Sequence, residues 1–320
     1  MGHRSGHPAS GRCDRVTSRR MRQPFRRGLL TVLSLLGLLA LSMQACWAEI
    51  RLTQASGDTL VLPAPAKRII TLAPNLAELV FAAGAGNQLI AVGAYSDYPP
   101  PVKALPSIGD AFRIDLESIL SLQPDLVIAW PSGNPQAALQ KLTELGVTVW
   151  EVEITRPEDI ANVVEAIALA AGTESEGVPE ANRLRQRLAS LIRQNQEKEP
   201  LDFFYQIASE PLYTVSSDHI ISQSMELCGG RNVFAELATL APQVTRESVI
   251  QANPDVMISG EIAGQAPALE NWQSWPNLKA VKTSAFIYIP ADDISRAGPR
   301  LLDGIELACE RFDSIRASAQ

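Results

Sequence analysis

The sequence predicts an α/β fold of two Rossmann-like lobes joined by a single long α-helix. Three observations carry that prediction. From Lys67 onward, short β-rich runs alternate with amphipathic stretches, the signature of parallel α/β layering. The same pattern restarts at Phe203. Between the halves, Pro179 to Glu199 is rich in charged and amide side chains, contains no glycine, and sets Leu184, Leu188, Leu191 and Ile192 on one helical stripe. A helix there lacks the soft loop residues that absorb large hinge motions. The expected divisions are a first lobe over 67–173, a connecting helix over 176–199 and a second lobe over 201–312.

The elements follow in order. Ile69–Leu72 reads as a strand, and Leu76–Ala83 as a helix ended by Gly84. Leu89–Val92 is the next strand. Helix Leu116–Leu122 leads through Pro124-Asp125 into strand Leu126–Ala129, and helix Pro135–Leu145 into strand Thr148–Val152. In the second half, strand Phe203–Ile207 precedes helix Ile220–Cys228. Strands Val256–Ile258 and Phe286–Ile289 follow, with a final helix from Pro299 to Arg311.

An internal repeat links the halves. Asp115 to Ile128 (DLESILSLQPDLVI) matches Thr245 to Ile258 (TRESVIQANPDVMI) at a constant offset, with Glu117, Ser118, Pro124, Asp125 and Ile128 recurring as Glu247, Ser248, Pro254, Asp255 and Ile258. Shared α/β punctuation accounts for Pro-Asp and the apolar strand. An acidic residue near a helix start is favoured by the helix dipole. The functional alternative is a pair of equivalent charged knobs, one per lobe, facing a two-fold symmetric partner.

The 320 residues, 46% hydrophobic and 20% charged, describe a soluble globular chain long enough for two domains. With 28 basic against 35 acidic residues the formal charge is −7, which argues against binding a phosphate backbone. Residues 1–48 hold eight arginines and one aspartate, which leaves 20 basic and 34 acidic groups, a net of −14, for the rest. Composition thus excludes a disordered tail protein, a multi-span membrane protein and a basic nucleic-acid binder.

Arg22, Arg26 and Arg27 precede an uncharged run from Leu29 to Leu41. A bilayer span needs about 20 apolar residues, so this shorter run followed by small residues reads as a secretory signal. Cleavage after Ala48 puts Cys46 and Ala48 at the small-residue positions and starts the mature chain near Glu49; Met21 is an alternative start. An uncleaved anchor and lipid attachment at Cys46 are the competing readings, the latter poorly served by Met43 and Gln44. Export leaves Cys228 and Cys309, for which one pairing is available; two separate buried thiols are the alternative.

No Gly-x-Ser-x-Gly elbow and no phosphate loop ending in Gly-Lys-Ser/Thr is present. Gly84-Ala-Gly86 follows a helix rather than a strand. His3 and His7 fall in the leader, so His219 alone remains and a multi-imidazole metal site is not available. No catalytic constellation emerges. What remains is a set of loops at strand ends: Tyr95 to Pro101, Trp130 to Asn134, Tyr213, and Asp292-Asp293. Ligands gather at the carboxyl ends of strands in open α/β sheets. An aromatic there offers a flat apolar face with a polar edge. Tyr95 and Trp130 are the preferred site residues, with Tyr98 and Trp150 read as packing.

Several stretches carry a resemblance: Ile69 to Asn75 (IITLAPN), Tyr95 to Pro100 (YSDYPP), Pro124 to Trp130 (PDLVIAW) and Gly133-Asn134 in the first half, and Cys228 to Asn232 (CGGRN), Pro242 to Glu247 (PQVTRE) and Arg296 to Arg300 (RAGPR) in the second. From Lys67 to about Arg311 the chain resembles the class III substrate-binding proteins of ABC importers, and among them the corrinoid binders. The resemblance implies a periplasmic, monomeric receptor with no catalytic role and no cofactor, which holds a vitamin B12-type corrinoid between its lobes. It implies contact of Tyr95 and Trp130 with the corrin ring, approach of the Asn75 loop to the ligand, and further contacts from Tyr213, Asp292 and Arg296 on the facing lobe. It implies docking of Glu117 and Glu247 onto arginines of an ABC permease dimer, itself driven by ATPase subunits, and a disulfide between Cys228 and Cys309.

The chain departs from that family where a tryptophan is replaced by Ala111 followed by Phe112, another by Ala241, and a third aromatic by Asp293. A ferric siderophore or haem is therefore the alternative cargo, with Arg113, Arg296 and Arg300 as cations suited to anionic chelates. An exported hydrolase is the remote third reading.

Overall fold

The computed structural model describes residues 49–318. The expected leader, its cleavage after Ala48, and the Met21 and Cys46 alternatives lie outside these residues. A hairpin of β1 (Ile50–Thr53) and β2 (Thr59–Leu62) comes first. It packs on the first lobe, where Ala55 N–H donates to Glu151 O at 2.9 Å and Trp150 Nε1–H to Thr53 O at 2.9 Å. The first lobe thus begins at the hairpin rather than at residue 67.

The first sheet contains β3 (Ile69–Thr71), β4 (Leu89–Val92), β5 (Leu126–Ala129) and β6 (Val149–Glu151), ordered β4-β3-β5-β6 and wholly parallel. Helices α1 (Pro74–Ala82), α2 (Leu116–Ser121) and α3 (Gln136–Glu144) connect the strands. Strand side chains alternate between faces. Ile70, Val127 and Ala129 therefore pack with Ile119, Leu139 and Leu142, while Ile69, Leu126 and Ile128 join Leu76, Leu79 and Val80 on the other side. Both faces are covered by helices, which is why these strands read as unbroken apolar runs.

A helical hairpin follows. Helix α4 (Asp159–Ala171) ends at Gly172, whose φ of 69° turns the chain, and α5 (Glu174–Asn195) runs 22 residues toward the second sheet. The sequence reading missed α4 and set the connecting helix at 176–199. The helix starts earlier, takes Pro179 into its second turn and stops at Asn195. Its Leu184, Leu188 and Leu191 stripe is buried as expected. Arg185 pairs with Glu165 of α4. On the other side Arg187 reaches Asp303 and Glu306 at 2.7 Å each, and Lys198 reaches Asp313 at 2.6 Å.

The second sheet repeats the topology. It contains β7 (Leu201–Gln206), β10 (Gly230–Asn232), β11 (Val256–Glu261) and β12 (Phe286–Pro290), ordered β10-β7-β11-β12 and again parallel. The small pair β8 (Ala208–Ser209) and β9 (Leu212–Tyr213) projects from the end of β7. Helices α6 (Ile220–Glu226), α7 (Arg246–Ala252), α8 (Lys279–Lys282), α9 (Ala291–Ser295) and α10 (Leu301–Ser318) complete the lobe, which runs past the expected end at 312. In each lobe the second strand in chain order pairs outside the first, so both sheets have the order 2-1-3-4. That is the flavodoxin-like arrangement of doubly wound sheets.

Phe203 and Phe312 meet edge to face at 6.4 Å between ring centroids, fixing α10 on the second sheet. Cys228, just past α6, is disulfide-bonded to Cys309 of α10 across a sequence separation of 81. In the chain-entropy account a loop of that length contributes about 4 kcal/mol. Among the described residues no helix is long and apolar enough to cross a membrane.

Candidate functional site

The carboxyl ends of both sheets face one cleft, which encloses a cavity of about 360 Å³. From the first lobe it is lined by Pro74 and Asn75 after β3, Trp130 and Ser132 after β5, and Glu153 to Thr155 after β6. From the second lobe come Asp218 to Ile220 ahead of α6, Leu240, and Ser295 to Ala297 after α9. The switch point of the first sheet lies between β3 and β5, where the connections leave in opposite directions. Asn134 closes that junction from within. Its Oδ1 accepts the Trp130 N–H at 2.8 Å, and its Nδ2 donates to Leu72 O at 3.2 Å.

Trp130 is 37% exposed and its ring is fixed on two sides. Nε1–H donates to Glu153 Oε1 at 2.8 Å, and the same carboxylate accepts from the hydroxyl and backbone N–H of Ser132. A Cβ on Gly133 would stand 2.0 Å from Cε3 of the indole. Only glycine lets the ring lie so close to this turn.

Asn75, in the first turn of α1, crosses the cleft, donating through Nδ2 to Ala297 O at 3.1 Å. Beside it lies a charged cluster shared by the lobes. Glu78 of α1, 2% exposed as a side chain, accepts from Arg300 at 2.7 and 3.0 Å and from Arg296 at 3.3 Å. Arg296 also pairs with Asp97 at 2.7 Å and Asp292 at 2.9 Å, and Arg300 with Asp293 at 3.2 Å. The Arg300 guanidinium lies over the Tyr98 ring, 4.4 Å from its centroid. Burial raises the Asp97 carboxyl, but hydrogen bonding and charge from Arg296 outweigh it and hold the group below the usual aspartate range. The Glu78 hydrogen bonds push the Arg300 guanidinium further up against the opposing effect of burial.

The expected site residues thus separate. Asn75, Trp130 and Arg296 line the cavity, and Asp292 reaches it through Arg296. Tyr95 is not in the cavity wall. It is 80% exposed on the loop after β4, with φ at +65°, an uncommon conformation for a bulky residue. Its carbonyl lies 3.5 Å from Nη2 of Arg296. Tyr213 is also outside the wall, half-buried in β9 and bridged to Gln243. Phe112, 92% exposed, tops a turn in which Asp110 Oδ1 accepts the N–H groups of Phe112 and Arg113. That turn joins the Tyr95 loop through Ala94 N–H to Gly109 O at 2.7 Å.

Glu117 and Glu247 are exposed and occupy the second residue of α2 and α7 respectively. Each helix is capped alike: Asp115 accepts from Ser118 N–H, and Thr245 from Ser248 N–H. Neither glutamate forms an ion pair among the described residues. The Pro-Asp part of the repeat has a structural role instead. Asp125 accepts the N–H groups of Lys67 and Arg68 at the start of β3, and Asp255 accepts that of Asp202 in β7.

Several cleft residues lie outside the set that the sequence singles out, among them Glu78, Glu153 and His219. Glu78 had a signal, a lone carboxylate inside the apolar run of α1. Glu153 had none, because it is defined by its contact with Trp130. His219, read as a loop histidine, lines the cavity and caps α6, with Nδ1 accepting the Ile221 N–H at 3.1 Å.

Comparison with known proteins agrees with this geometry. The family model described as periplasmic binding protein matches residues 69–292. A vitamin B12-binding protein of Vibrio cholerae is 38% identical over 251 residues, covering 78% of this chain and 90% of the relative. The crystal structure of the periplasmic vitamin B12-binding protein BtuF of Vibrio cholerae superposes with a TM-score of 0.73 at 37% identity, over 79% of this chain and 98% of that one. The periplasmic haem-binding protein HutB of the same organism shares the fold, with a TM-score of 0.65 at 23% identity over 78% of this chain and 97% of that one. With two parallel 2-1-3-4 sheets facing one cleft, and with these matches across the folded region, the chain belongs to the periplasmic binding protein family.

Proposed function

We propose that this protein is the exported, monomeric receptor of an ABC importer, which captures a vitamin B12-type corrinoid in the cleft and delivers it to a permease dimer. The observation that carries the reading is the set of aromatics held at the carboxyl edge of the first sheet. Trp130 is fixed by Glu153 in the cavity wall, and Tyr95, whose carbonyl meets Arg296, and Phe112 stand exposed on joined loops. Flat aromatic faces suit a macrocycle, and the extensive identity to proteins named for vitamin B12 supports the same cargo. Phe112 supplies an aromatic next to the position where the resemblance had led one to expect a tryptophan.

A cavity of about 360 Å³ lies at the small end of ligand pockets. A corrinoid exceeds it, so the ring is expected to extend toward Tyr95 and Phe112. Binding needs no bond to be made or broken, and no residue is assigned a catalytic role or a cofactor. Glu117 and Glu247, equivalent on the two lobes and without an ion pair among the described residues, are the proposed contacts with the permease.

Calorimetry of the mature chain with cyanocobalamin tests the reading. Sub-micromolar binding with quenching of tryptophan fluorescence is expected. Absence of heat and of quenching with cyanocobalamin and cobinamide would overturn it.

A further inference from the structure

Among the described residues the cleft wall has one cation, Arg296, against the carboxylates Glu153 and Asp218. A guanidinium presents five N–H donors. Here Nη1 is directed at Asp97 Oδ1 (2.7 Å) and Glu78 Oε1 (3.3 Å), and Nη2 at Asp292 Oδ1 (2.9 Å) and Tyr95 O (3.5 Å). Three hydrogen bonds are therefore made, to Asp97, Glu78 and Tyr95 O, and Asp292 adds its charge at ion-pair distance. Arg300, the other cation of the cluster, is forked onto Glu78 and paired with Asp293. The two arginines face four carboxylates, and Glu153 and Asp218 add two more from the wall. An arginine in a ligand cleft ordinarily attracts anions, because its fork matches carboxylate geometry. This one is neutralised before any ligand arrives.

We infer that the carboxylates Asp97, Glu78, Asp292 and Asp218 are specificity determinants that make the cleft reject anionic ligands and accept neutral or cationic ones. The inference rests on the proposed reading of the cleft as a receptor for a large ring, and it selects within that class. An anionic tetrapyrrole with ionised propionates would have to displace a carboxylate from Arg296 and then sit among the remaining negative charges. A corrinoid fringed by neutral amides meets no such opposition and finds donors and acceptors in the same wall. Rejection of a competitor by like charge is a recognised route to specificity, and its ionic part weakens with salt.

The test uses the mature protein with two probes, cyanocobalamin and haemin, titrated separately at 20 and 500 mM salt. The readout is the ratio of their affinities. The wild type is expected to favour cyanocobalamin by at least a hundredfold at low salt, and by less at high salt. Asp97→Asn keeps the shape and a hydrogen-bond acceptor for Arg296 but removes a charge, and it should raise relative affinity for haemin about tenfold. Asp218→Asn, at an exposed wall residue whose side chain makes no ion pair or hydrogen bond among the described residues, should shift the ratio the same way by about threefold. Ratios that stay fixed in both variants and at both salts, in a protein that binds cyanocobalamin, overturn this inference alone. A wild type that prefers haemin overturns it together with the proposed cargo.

Discussion

Trp130 and Glu153 are joined across neighbouring strands, the indole Nε1–H donating to Oε1 at 2.8 Å. Ala129 of β5 lies in register with Glu151 of β6, so two parallel strands deliver the aromatic and its anchor to one edge. The anchor is doubled by Ser132, and the ring's other approach is set by Gly133. The aromatic is thus oriented before ligand arrives, which reduces the ordering cost of binding.

Replacing Glu153 by alanine should release that ring. Trp130 fluorescence anisotropy is expected to fall, and cyanocobalamin affinity to drop by roughly tenfold, the scale of one oriented aromatic contact. Because the pair is exposed, the urea midpoint should move little. Unchanged anisotropy and affinity would show that the ring is held by Gly133 and its turn alone.

Glu78 is the converse case, a buried carboxylate that joins α1 to two arginines of the other lobe. Removing one partner of a buried pair leaves the other charge uncompensated and costs about 3–5 kcal/mol. Glu78→Ala should therefore lower unfolding free energy by about 3 kcal/mol, measured in urea. A loss below about 1 kcal/mol would mean that Arg296 and Arg300 are satisfied by Asp97, Asp292 and Asp293 without it.

Much of this architecture was legible from local pattern. The strands Ile69–Thr71 and Leu126–Ala129 lie where apolar runs predicted them, because burial on both faces favours such runs; the strand expected at Val256–Ile258 runs on to Glu261 through Ser259 and Gly260, where the apolar signal stops. The leucine stripe of α5 was equally plain. Helix α4 was missed although Asp159–Ala171 is strongly apolar, since apolar residues such as Leu169 also occupy its exposed face and blur the polar stripe that marks its period. The hairpin at Ile50–Leu62 was missed although Ile50 to Thr53 alternates buried and exposed, because four residues are too short a run to stand out. In the site, Trp130 was legible by position at a strand end, and Asn75 only through the family resemblance. Glu153 and the pairing of Arg296 were not, because they exist only as contacts between segments far apart in sequence.

Glu117 and Glu247 should affect transport without affecting capture. Both project from capped helix starts with no ion pair to lose, so Glu117→Lys and Glu247→Lys are expected to fold and to bind cyanocobalamin as the wild type does. Uptake of labelled cyanocobalamin in cells carrying the cognate permease should fall at least tenfold in the double variant. Loss of ligand affinity in the isolated double variant would place the two residues in the cleft instead.

His219 predicts an acid limb in stability. Burial pulls its pKa below the usual imidazole value of about 6.5, and its Nδ1 must stay unprotonated to accept the Ile221 N–H. Above that value the ring is neutral in folded and unfolded chains alike, and its contribution is fully present. As pH falls, the unfolded chain takes up the proton first, so stability declines until the lowered folded value is passed. Glu226 at the far end of α6 acts oppositely, because burial raises its carboxyl. Asp218, Glu153 and Arg296 are the other charged groups of the same cavity wall. The urea midpoint of the wild type should decrease between pH 7 and 5. In His219→Asn, where a residue favoured at helix starts keeps the cap without titrating, the decrease should be smaller. Parallel curves for the two proteins would assign the acid limb to other groups.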